Sequence, residues 1–143
     1  MSASSQKGSR RERGLIADLR DAGLFALRCP ASGAASTADL PDILAMREFL
    51  PVGLRSVELP VAKAHMIEAK ASKSGSVHLA HDEIEALCRC ALVAGATPIV
   101  AVRPDYSEWS FFEPIDLNQN EKSRSVTQDM LPGPTFEEVF VNG

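Results

Sequence analysis

Cysteine is scarce in this chain, with three among 143 residues: Cys29, Cys88 and Cys90. An odd number does not close a disulfide framework. Cys88 and Cys90 are separated by one residue in a helical pattern, where such neighbours point apart. Neither a zinc site nor a disulfide scaffold is expected, only reduced thiols in an intracellular protein. Long apolar runs are missing as well. None approaches the roughly 18 residues that a membrane span requires, and the leading MSASSQKGSRRERG has no apolar signal region. The expected setting is cytoplasmic, with no membrane partner. Positive charge is also short, with 15 Lys and Arg against 19 Asp and Glu, a net charge of −4. At first that argues against a nucleic-acid partner.

The distribution of charge points the other way. Residues 1–28 hold six basic residues (Lys7, Arg10, Arg11, Arg13, Arg20, Arg28) against three acidic ones, whereas residues 105–143 hold two against eight. A basic leading segment can bind phosphate while the acidic tail faces elsewhere. Apolar content of 45% and charged content of 24% are ordinary for a globular chain, and the length predicts one domain over residues 1–143.

Periodicity gives a coarse order of elements. Residues 1–8 are Ser-rich and expected to be flexible. Ser9 is placed as a helix cap, with Glu12 as its capping-box partner. Leu15, Ile16, Leu19 and Ala22 form the apolar stripe of a helix that Gly23 ends. Leu24–Arg28 reads as a strand, Cys29–Leu40 as a small, polar loop, Pro41–Arg47 as a second strand and 48–63 as an irregular excursion or hairpin. Ala64–Ala71 is a third strand, followed by a flexible SKSGS loop over 72–76. Asp82–Ala94 is an amphipathic helix stopped by Gly95. Thr97–Val102 is apolar throughout, so it is predicted as a strand covered on both faces. Trp109–Glu113 is a last strand, 114–133 looks irregular, and Thr135 with Glu138 opens a terminal helical turn docking through Phe136, Val139 and Phe140. The fold class is α/β, a mixed five-stranded sheet flanked by helices.

Chemistry concentrates between Asp42 and Lys70. On a strand, residues i and i+2 share a face, about 6.5–7 Å apart, so Glu68 and Lys70 emerge together with Ala69 opposite. Asp42, Glu68 and a backbone carbonyl such as that of Ala69 make a hard-oxygen set for Mg2+, with Lys70 alongside and Glu12 as a further carboxylate on the inward side of its helix. Such a site suits phosphodiester hydrolysis. The spacing alone leaves a plainer alternative open: Glu68 and Lys70 as a surface pair on an edge strand, Asp42 merely following a turn proline.

The wider pattern separates the two. KGSRRERGLIADLRDAG, LRCPASG, PDILAMR, MIEAKASKSG and GATPIVAV with WSFFEP resemble, in this order, the archaeal Holliday junction resolvases of the PD-(D/E)xK nuclease superfamily. The resemblance spans about residues 7–141 and implies a restriction-endonuclease-like nuclease core, with 114–143 as a C-terminal extension packed on it. It implies that Asp42 and Glu68 hold a metal with Glu12 completing the site, that Lys70 is the catalytic lysine, and that Ser32 of PASG lies close to the scissile phosphate. Arg13 and Arg28 would contact backbone phosphates; Lys7, Arg11 and Lys73 are further DNA-contact candidates. The implied protein is a nucleoid-associated homodimer that places symmetric nicks in four-way junction DNA with Mg2+, or with Mn2+ as substitute. The chain departs from the family in its longer 48–63 segment and its net acidity. Two alternatives remain: a nuclease of the same superfamily acting on other branched or duplex DNA, and a non-catalytic junction-binding protein. His65, His78 and His81 lack metal-ligand spacing and are expected in loops or solvent. Trp109, Phe111 and Phe112 are expected in the core rather than stacked on bases.

Overall fold

The computed structural model describes residues 3–29, 41–47, 63–105 and 107–141, with side chains in the first helix from residue 8 onward. Its order is α1 (Ala3–Asp21), β1 (Phe25–Arg28), β2 (Ile43–Arg47), β3 (Lys63–Ser72), β4 (Val77–Ala80), α2 (His81–Ala94), β5 (Thr97–Pro104), β6 (Ser110–Phe112), β7 (Asn118–Gln119) and β8 (Ser123–Val126). The excursion expected after Arg47 lies outside the described residues, apart from Lys63, which opens β3.

Five strands form one mixed sheet, as the sequence predicts, and their order in it is β1-β2-β3-β5-β6. Every pair is antiparallel except β3 with β5, which run parallel because the chain crosses over through β4 and α2. The apolar stretch Ile99–Val102 of β5 is covered on both faces. Ile99 and Ala101 join the core under α1, while Val100 and Val102 join the one under α2. Alternation along one strand thus puts the two helices on opposite faces of the sheet. Gly23 and Gly95 end their helices with φ of 88° and 67°, the left-handed conformation that glycine adopts without a Cβ clash.

α1 begins at Ala3, so Ser9 lies inside it and the predicted Ser9–Glu12 capping box does not form. The leading segment contains no proline and its Ser, Gln, Lys and Arg residues are helix-compatible. Ser9 instead uses its hydroxyl to accept a hydrogen bond from Arg28 Nη2 at 3.1 Å. Leu15, Ile16 and Leu19 are buried as the stripe requires.

A second sheet, β4-β8-β7, has no counterpart among the predicted elements and lies partly in the stretch expected to be irregular. β4 and β8 pair antiparallel, Val77 opposite Val126, and bury Val77, Leu79 and Val126 with Ile84 and Leu87 of α2. Strands of two to four residues are too short for periodicity to register. The terminal turn does form, over Glu137–Val141. Thr135 N–H donates to Glu138 Oε2 at 2.7 Å, and Glu138 N–H donates to Thr135 Oγ1 at 3.3 Å, the predicted box.

His65 corrects an expectation of exposure. It shares the inward face of β3 with Ile67, is 6% exposed, and meets the Phe140 ring at 4.8 Å. Burial, with some help from the Lys63 charge, lowers its pKa, which favours the neutral ring. Trp109, Phe111 and Phe112 are buried, as expected.

Candidate active site

The site lies where β2 and β3 emerge from the sheet. Ile43 pairs with Ile67, and one further step of the antiparallel register sets Asp42, just before β2, opposite Glu68. Asp42 Oδ2 accepts the Ala69 N–H at 2.8 Å, fixing its carboxylate over β3. The Asp42 and Glu68 carboxyls face one another closely enough that each perturbs the other's proton affinity. Lys70 Nζ stands 3.6 Å from Glu68 Oε1, and it donates a 3.0 Å hydrogen bond to Oε1 of Glu83, in the first turn of α2. Glu83 is a site residue that the sequence pattern did not single out. Its signal was a Glu three residues after Ala80 at a helix start, half of a capping box.

The electrostatics follow from crowding acids in a partly buried cleft. Burial first, then the Asp42 carboxylate, push Glu68 up to about 7 against the pull of Lys70. Burial raises Asp42 as well, opposed by the Ala69 hydrogen bond and the Lys70 charge. Desolvation would lower the Lys70 pKa, but the Glu83 hydrogen bond and the Glu68 charge outweigh it; the net shift is upward and the amine stays charged. Two neighbouring carboxyls both held above the ordinary carboxylate range mark a place where negative charge is under-compensated. A small divalent cation supplies that compensation, and a set of carboxylate oxygens is the kind it prefers. The residues fit the ion that the pattern implies.

Glu12 stands close enough for Asp42 to help raise its pKa, after the larger effect of burial. Its Oε2, however, is held by Arg28 Nε at 2.8 Å. The structure therefore gathers Asp42, Glu68 and Lys70 and leaves Glu12 in an ion pair beside them. Among the described residues no three Asp, Glu, His or Cys side chains form a ready-made metal cluster. The expected phosphate contacts are dispersed. Arg28 is engaged by Glu12 and Ser9, Arg11 is paired with Asp105 just beyond the end of β5, and Arg13 and Lys73 are exposed. The Lys7 side chain and Ser32 lie outside the described residues.

The model of the archaeal Holliday junction resolvase family (Hjc) matches residues 3–142, essentially the whole chain. The chain belongs to the archaeal Holliday junction resolvase family. Its relatives include the crossover junction endodeoxyribonuclease Hjc of Archaeoglobus fulgidus, 32% identical over 88% of this chain and 82% of that protein. The Hjc of Sulfolobus acidocaldarius is 29% identical over 96% of this chain and 90% of its own length. A solved structure of the Archaeoglobus fulgidus Hjc, a Holliday junction resolvase from an archaeal hyperthermophile, matches with a TM-score of 0.74 at 30% identity, covering 90% of this chain and 94% of that one. The sheet is thus the restriction-endonuclease-like core, and the class of activity is that of an endodeoxyribonuclease in a divalent-metal-dependent family.

Proposed function

We propose that this chain cuts four-way DNA junctions by Mg2+-dependent hydrolysis, with Mn2+ as a substitute, placing paired symmetric nicks that release two linear duplexes. The observation that carries this reading is that the β2–β3 register sets the Asp42 carboxylate, anchored on the Ala69 N–H, opposite Glu68, with the charged Lys70 amine 3.6 Å from Glu68. Asp42, Glu68 and the Ala69 carbonyl would hold the ion, with Glu12 joining them once released from Arg28. When bound, the ion supplies Lewis-acid activation of water and neutralises charge on the phosphate.

The chain's own groups do the rest. Lys70, charged and close to the carboxylates, orients the attacking water or balances charge gathering on the phosphoryl oxygens. Arg28, freed by the same exchange that frees Glu12, turns to a backbone phosphate. Arg13, Arg11, Lys7 and Lys73 extend the phosphate contacts along the strand, and Ser32 approaches the scissile group. These contacts read backbone shape rather than base sequence, and their salt dependence is set by local rather than net charge. The protein would act on chromosomal junctions in the cytoplasm as a nucleoid-associated enzyme.

A two-fold junction is matched by a two-fold protein, so the working unit is a homodimer with one site per strand cut. Leu92 and Val93 in the last turn of α2, and Ile115 beyond β6, are 81%, 84% and 81% exposed, apolar surface that a second copy would cover.

A synthetic four-way junction tests the proposal. With Mg2+ present, wild-type protein is expected to give nicked duplexes from opposite strands, and excess linear duplex of the same sequence is expected not to suppress the reaction. Equal cutting of the linear DNA would move the activity to a broader substrate class. Binding without product in either metal would favour the non-catalytic alternative.

A further inference from the structure

Glu83 occupies a position that the Asp42…Glu68-x-Lys70 pattern does not call for. Its carboxylate has two engagements: Oε2 accepts the Ala80 N–H at 3.0 Å and Oε1 accepts from Lys70 Nζ at 3.0 Å. The first ties the carboxylate to the start of α2, so the second ties the lysine to a fixed point. Glu68, the other acid beside Lys70, stands at 3.6 Å, beyond the usual reach of a charge-assisted hydrogen bond. The amine is therefore bonded across to the helix rather than to the carboxylate two residues before it on its own strand.

We propose that Glu83 is a positioning residue for phosphodiester hydrolysis: it holds the Lys70 amine at the cleft and keeps it off Glu68, whose oxygens are left for the cation. The inference rests on the reading of Lys70 as the catalytic lysine. Lysine is a flexible four-carbon stem carrying about 2 kcal/mol of rotamer entropy, and it loses its pointing direction unless something holds its end. Without Glu83, the strongest acceptor within reach is Glu68, which shares a face of β3. An ammonium settled there competes with a dication for the same lone pairs. One contact thus serves two ends, aiming the amine and clearing the metal ligand. Exposures of 29% for Lys70 and 41% for Glu83 place the pair where an ion pair adds little to stability, so its consequence is geometric.

Glu83→Gln separates position from structure. The glutamine carbonyl can still accept the Ala80 N–H, so the start of α2 is kept. The remaining amide group donates rather than accepts, so the lysine is released. Expected are an unchanged unfolding midpoint, Mn2+ binding to the DNA-free protein weakened about tenfold, and a broadened or shifted Lys70 ammonium nitrogen resonance by NMR. Single-turnover cleavage should fall about 10- to 100-fold, while junction affinity stays within about twofold because phosphate contacts set it. Lys70→Ala is the control, expected to remove cleavage while sparing Mn2+ binding. If Glu83→Gln binds Mn2+ and cleaves like wild type while Lys70→Ala is inactive, the positioning role is overturned and the nuclease reading stands. If Lys70→Ala itself cleaves at the wild-type rate, the assignment of the lysine falls, and this inference with it.

Discussion

Asp42→Asn and Glu68→Gln are each expected to lower the single-turnover rate of junction cleavage by about a thousandfold or more, since on the proposed reading each removes an anionic ligand of a metal that would supply several kcal/mol of transition-state stabilisation. The substitutions are chosen to leave the fold in place. An asparagine carbonyl can still accept the Ala69 N–H, which the Asp42 carboxylate now accepts at 2.8 Å. Neither protein should unfold more easily at neutral pH, and the sign follows from the pKa shifts. Burial raises both carboxyls, so the folded state holds their protons more tightly than the unfolded chain does. Stability present while Glu68 is protonated is lost as pH rises through about 7, its folded value. Removing one acid relieves that loss. The measurement is a paired one, of cleavage rate and unfolding midpoint at pH 8. A dead variant that melts as wild type or higher supports a catalytic role, whereas a variant cleaving within tenfold of wild type contradicts it.

Phe140→Ala is expected to destabilise the protein by about 3–5 kcal/mol, the usual range for deleting a buried phenyl ring. For a chain of this size that lowers the unfolding midpoint by about 10–15 °C. Phe140 is 2% exposed, and it packs against Phe111 at 5.0 Å, Phe136 at 5.1 Å and His65 at 4.8 Å. It also closes the end of the chain onto the sheet, where Arg47 donates to the carbonyls of Phe140 and Val141. Its loss leaves a cavity beneath β3, the strand that carries Glu68 and Lys70. Thermal unfolding measures the effect, with Val141→Ala, at a position 40% exposed, as a comparison expected to change little. A shift for Phe140→Ala no larger than that of Val141→Ala would mean that the tail does not dock as described.

What the sequence disclosed tracks the range of the signals involved. The α1 stripe, the two-sided β5 and the Thr135–Glu138 box are local patterns, and each appears as predicted. Asp42, Glu68 and Lys70 were legible because strand alternation and antiparallel register are themselves periodic rules; the structure sets all three at one end of the β2–β3 pair. Long-range contacts were not legible. Nothing in the spacing tells that Arg28 folds back onto Glu12 and Ser9, that Arg11 reaches Asp105, or that Glu83 of α2 meets Lys70. The β4–β8 pairing joins segments some distance apart in the chain, each too short to show a period. His65 was misplaced because a polar side chain was assumed to seek water. Strand parity put it on the inward face, and an aromatic neighbour with a neutral ring made burial tolerable.

The whole mechanism depends on Asp42 and Glu68, brought opposite each other by the β2–β3 register, sharing one divalent cation. The decisive measurement is a crystal soaked in Mn2+ and phased on the metal's anomalous signal. A peak is expected about 2 Å from an oxygen of each carboxylate, with the Lys70 amine still on Glu83 and Glu12 released from Arg28. A crystal with no peak in that cleft, or with the ion bound away from both Asp42 and Glu68, would contradict it.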